Sequence, residues 1–161
     1  MIWSPLVRAS LAGLAGGVAW LLGILLVFGP AQSVLTNPDL QSAKMIAAFS
    51  GGAAAPRTYA SSALLPVALL GIGLLWGWVY VWCSPSWPGP WWRRGVRFGV
   101  VSWVLMVPWF EFYLPWNILL EPASLVALEM ACWAVVLFFV GLTMAAVEAW
   151  LPGSGRYVAA S

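Results

Sequence analysis

Histidine is absent from all 161 residues, which excludes a bis-histidine haem and any histidine-ligated metal within the chain. Charge is scarce too: 7% of residues are Asp, Glu, Lys or Arg, against about 25% in a soluble domain. That is too little to cover a globule. The two cysteines, Cys83 and Cys132, stand alone in apolar sequence. Without a pair such as CxxC there is no dithiol for exchange, and both read as small buried hydrophobes. There is no Gly-rich phosphate loop, GxSxG elbow or paired-aspartate diphosphate motif, and no nucleophile–base pair can be assembled. These gaps predict a protein that is not an enzyme and holds no cofactor and no metal. The net charge of +2 is too small and too local to attract nucleic acid.

What fills the chain is apolar sequence. Hydrophobic residues make up 63%, mean hydropathy is +0.92, and the apolar residues occur in runs long enough to cross a bilayer. The expected fold is all-α: one domain, residues 1–161, forming a bundle of four transmembrane helices with a short helix in the first outward-facing loop. The spans fall at about 9–28, 58–83, 95–114 and 122–151.

The first span follows Arg8 and carries small residues at packing distance, Ala12/Gly16 and Gly13/Gly17, which let a neighbouring backbone approach. A cleaved signal peptide is the competing reading, with Gly29-Pro30-Ala31 as its cleavage site; the apolar run exceeds a signal core and favours a retained helix. Asn37-Pro38-Asp39 has helix-start chemistry, predicting a short helix to about Ser50 in the interface or over the bundle mouth. In the second span Pro66 predicts a kink by freeing the carbonyl of Ser62, and Gly73 and Gly77 continue the small-residue theme. Pro85, Pro88 and Pro90 make a stiff link. The third span is expected to close at Pro115, and Glu121-Pro122 to start the fourth as N-cap and first-turn proline.

Arg8, Arg93, Arg94, Arg97 and Arg156 fall on one side, Lys44 and Arg57 on the other. The excess assigns the first side to the cytoplasm, so both termini are expected inside. Arg93, Arg94 and Arg97 read as topology anchors with a secondary role at lipid headgroups. Glu148, near the same boundary, is expected to meet this cluster or water.

The segments PDLQSAKMIAAF, LLWGWVYVWC and RRGVRFGVVSWVLMVPWFEFYLPWNILLEPASLVALEM together resemble a group of small bacterial four-helix integral membrane proteins to which no activity is assigned. The resemblance covers roughly residues 37–150. It implies a bacterial inner-membrane location and four spans, and carries over no functional residues.

Concentrated chemistry remains at one place. Glu111 and Glu129 lie roughly 6–10 Å below the outer boundary at 1.5 Å per residue, on helices joined by a short turn. Such helices are antiparallel neighbours, so the carboxylates can converge, with Pro108 one turn from Glu111 freeing the carbonyl of Val104. Intramembrane acids face the bundle interior or a wet cavity. Three readings stay open: a structural clasp in which one glutamate keeps its proton and bonds the other; an ion pair of one acid with Arg57; or a proton- or cation-responsive site in an outward vestibule between the Pro66 and Pro108 kinks. The expected role is therefore a non-enzymatic membrane protein packing against the lipid bilayer, a partner membrane protein or a second copy of itself, its small-residue faces being the motive. A small transporter using Glu111 and Glu129 is the alternative.

Overall fold

The computed structural model describes residues 4–50 and 61–152. They form five helices and, among the described residues, no strand: α1 Pro5–Leu35, α2 Ala43–Ser50, α3 Leu64–Ser86, α4 Trp91–Ile118 and α5 Ala123–Trp150. All but α2 are long and apolar enough to cross a membrane, so the chain is a multi-pass membrane protein by architecture. Arg57 lies outside the described residues.

Helix ends differ from expectation at the prolines. α1 begins where Ser4 accepts a hydrogen bond from the Val7 amide, with Pro5 in the first turn. It does not stop at Phe28. A π-helical turn, Ile24–Phe28, carries it on to Leu35, and the Gly29 amide donates to the Ile24 carbonyl. Pro30 has no amide and its ring crowds the carbonyl four residues back; widening the preceding turn accommodates both. α4 likewise runs past the expected stop at Pro115, through a π-helical segment Phe112–Ile118. It closes with the Leu119 amide on the Leu114 carbonyl (2.9 Å) and the Glu121 amide on that of Pro115 (2.9 Å). Leu120 pays for that wide closure with a left-handed backbone, φ +58°.

Two further expectations are corrected. Pro66 sits in the first turn of α3, which starts at Leu64. Its missing amide costs nothing there, and no Ser62 carbonyl is freed within a helix. Asn37 caps a turn rather than a helix: its Oδ1 accepts from the Asp39 amide at 3.0 Å. α2 starts six residues later, where Ser42 Oγ accepts from the Met45 amide at 3.0 Å.

The long helices pack in the order α3–α1–α5–α4. The α1–α3 contact is backbone on backbone: a Cβ placed on Gly77 would lie 2.3 Å from the Ala9 carbonyl oxygen and 2.4 Å from the Gly13 Cα. The α4–α5 contact repeats this, with a Cβ on Gly141 2.3 Å from the Gly95 oxygen. Between the two pairs, Gly16 receives Met144 and Gly23 receives Val136. The small residues are thus used inside the bundle, and the faces expected to meet a partner are buried. α3 and α4 meet through aromatic rings, Trp76 and Tyr80 edge-on to Phe98 at 5.6 and 5.2 Å. From there the rings continue through Trp20 to Trp133 and Phe28, crossing the core from end to end.

Candidate functional site

Two polar clusters occupy opposite ends of the bundle. At the end where α4 turns into α5, the antiparallel geometry brings Glu111 against Glu129, with Trp133 one turn further along α5. Glu111 is 1% exposed and Glu129 is half-buried. Trp103 fixes the two helices at this level, its Nε1 donating to the Met130 carbonyl at 2.9 Å. Glu111 Oε2 has no hydrogen-bond partner and its side chain borders a cleft of about 390 Å³ whose other walls include Trp20, Val107, Phe110, Trp133 and Leu137. These walls are apolar. Glu111, set against Glu129, therefore lies at the edge of an apolar cleft. Pro108 lies inside the α-helical part of α4, and its own carbonyl accepts the Phe112 amide.

Glu121 is not a cap for α5; Pro122 takes the cap position. The Glu121 side chain is buried and accepts from the Ser42 amide at 3.2 Å. Ser42 Oγ donates to the Leu119 carbonyl, and Lys44 Nζ reaches that of Ile118 at 3.5 Å. These bonds pin the start of α2 onto the α4–α5 turn.

At the opposite end the three arginines of α4 have three fates. Arg93 is exposed, its guanidinium 5.1 Å from the ring centre of Trp92. Arg97 donates to the Pro88 carbonyl at 2.8 Å and so braces the proline-rich link. Arg94 turns inward, 3.5 Å from Glu148 Oε2. Glu148 also pairs with Arg8 of α1 through a direct contact to Oε1. Arg8 and Glu148 are buried at 5% and 4% exposure, and the fully buried Tyr80 hydroxyl lies within their electrostatic reach. Sequence reasoning placed Glu148 near the arginines but missed Arg8, which stands 140 residues away. The available signal was that Arg8 and Glu148 sit at the same boundary on helices of opposite direction.

Among the described residues, no three His, Cys, Asp or Glu side chains come together in a way that could hold a metal ion. No protein-family model, curated protein or solved structure matches the chain.

Proposed function

We propose that this is a non-enzymatic integral protein of the bacterial inner membrane, with both termini cytoplasmic, acting by packing against lipid or partner membrane proteins. The observation that carries the reading is where the side chains point. Four ionisable groups near the bundle ends, Arg8, Glu111, Glu121 and Glu148, are buried, while large apolar residues face out along the long helices: Leu26 is 72% exposed, Leu75 68%, Leu105 73% and Trp109 66%. Such a surface is complementary to acyl chains or to another membrane helix. The basic-residue asymmetry supports the orientation, and the resemblance to small bacterial four-helix proteins supports the location. Extraction from native membranes in lipid nanodiscs, followed by native mass spectrometry, is expected to return the protein with retained lipid or a stoichiometric partner. A bare monomer would overturn the reading.

Glu111 at the cleft supports a second reading, a proton- or cation-coupled transporter. Its apolar walls and the mutual facing of the two acids fit the structural clasp better. Flux into proteoliposomes that is lost on Glu111→Gln would establish transport. Flux unchanged in Glu111→Gln and Glu129→Gln would end it.

A further inference from the structure

The basic cluster is unbalanced. Arg8 and Arg94 both lean on the single carboxylate of Glu148, and a guanidinium does not release its proton in proteins. The chain has five acids. The other four, Asp39, Glu111, Glu121 and Glu129, belong to the opposite end of the bundle or to the connection pinned there. One buried positive charge thus lacks a counter-charge from any acidic side chain, and burying an uncompensated ion is strongly unfavourable.

The same place has unused hydrogen-bonding capacity. Arg8 Nε, Arg94 Nε and the Tyr80 hydroxyl are buried without partners. Buried donors of this kind are paired in native proteins. Glu148 Oε2 is also without a hydrogen bond, although it lies 3.5 Å from Arg94.

The cluster is reachable. Arg8, Arg94 and Glu148 form the back of a cleft of about 400 Å³ between α1 and α3, whose rim includes Leu6, Trp78 and Trp82. Those rim residues are 56%, 52% and 82% exposed on the outer surface. The opening is therefore apolar and the floor cationic, at a helix end rich in tryptophan. An amphipathic anion fits this order of surfaces, whereas a small hydrated ion would gain nothing from the tryptophan rim. Planar guanidiniums suit phosphate oxygens in particular.

We propose that this cleft binds the phosphodiester headgroup of a membrane phospholipid, with Arg8 and Arg94 holding the phosphate and the acyl chains leaving past Leu6, Trp78 and Trp82. The site rests on the lipid-packing reading above and gives it a headgroup and a location. Glu148 sets the arginines in place and leaves one charge for the ligand.

The test is native mass spectrometry of the whole protein with phosphatidylglycerol, with diacylglycerol of the same chains, and with phosphatidylglycerol plus inorganic phosphate. Phosphatidylglycerol is expected to be retained at least about tenfold more tightly than diacylglycerol, in the range of a charge-assisted contact. Millimolar inorganic phosphate is expected not to displace it. Arg94→Gln should abolish the preference while leaving a balanced Arg8–Glu148 pair, so this variant is expected to fold; its near-ultraviolet circular dichroism checks that. Arg93→Gln should change nothing. If Arg94→Gln fails to fold, Trp82→Ala on the rim replaces it and is expected to weaken retention of the phospholipid several-fold. Equal retention of diacylglycerol, an unchanged preference in the folded Arg94→Gln variant (or in Trp82→Ala where that replaces it), or displacement by phosphate would each overturn the site. In the first two cases lipid is still held and the packing reading survives; a protein holding no lipid and no partner would lose both.

Discussion

Replacing Gly77 by alanine adds one methyl group at the tightest point of the α1–α3 contact. That methyl would stand 2.3 to 2.5 Å from the Ala9 oxygen and the Gly13 backbone, where ordinary contacts lie at 3.4–4 Å. All three atoms are main chain, so no side chain can swing aside. The helices must part by about 1 Å, and a gap of that size forfeits a quarter to a half of each dispersion contact along the interface. Overpacking costs about 1–3 kcal/mol, and alanine's better helix propensity returns about 0.8–1 kcal/mol. Within a bilayer, lipid tails are as apolar as the helices, so close packing rather than hydrophobic burial is what holds them together.

Gly71, on the same helix, supplies the control: a Cβ there meets nothing within 4 Å. Gly71→Ala is expected to stabilise by about 0.5–1 kcal/mol through propensity alone, and Gly77→Ala to destabilise by up to about 2 kcal/mol net of the same propensity gain. Reversible unfolding in mixed micelles titrated with dodecyl sulfate, followed by tryptophan fluorescence, measures the difference. If the two variants fell within about 0.3 kcal/mol of each other, a surface-like additivity, the close backbone contact would be refuted.

Other outcomes follow from single contacts. Glu148→Ala leaves the buried Arg8 and the part-buried Arg94 without their carboxylate and should cost about 3–5 kcal/mol in the same titration; a loss below about 1 kcal/mol, the range of exposed pairs, would mean that water reaches the cluster. Leu120→Gly relieves a left-handed backbone at an exposed residue and should raise stability by about 1 kcal/mol; a decrease would show that the leucine side chain matters more than its φ. Ser42→Ala removes both the cap of α2 and a bond to the Leu119 carbonyl, a loss of about 1–2 kcal/mol felt locally. Hydrogen exchange should speed up in Ala43–Ser50 and at the α4–α5 turn together; faster exchange in α2 alone would refute the pinning.

The four long helices could be read from the apolar runs because lipid solvent leaves few alternatives to a helix. The approach of Glu111 to Glu129 was legible for a related reason: a short turn between two spans fixes which residues share a depth. Helix ends were harder. Pro30 and Pro115 look like stops in sequence, yet a wide turn absorbs each, and no local pattern distinguishes a proline that ends a helix from one that widens it. Pro66 failed in the other direction, since its effect depended on where α3 began. The pairing of Arg8 with Glu148 depends on which non-adjacent spans touch, and that was set by Gly16 and Gly23 opening space for Met144 and Val136. Those glycines advertise close approach without saying to whom.

The two glycine contacts also bear on how the protein is made. α3 is the next long helix after α1, and α5 the next after α4, so each backbone-tight pair joins consecutive spans. Each can close as it leaves the insertion machinery, without waiting for contacts from the other pair. The α1–α5 seam is the principal contact that must wait for both halves, and Arg8 reaches Glu148 across it. Assembly thus reduces to docking two preformed hairpins. Two fragments divided in the Trp87–Pro90 link should therefore find each other when made in the same cell.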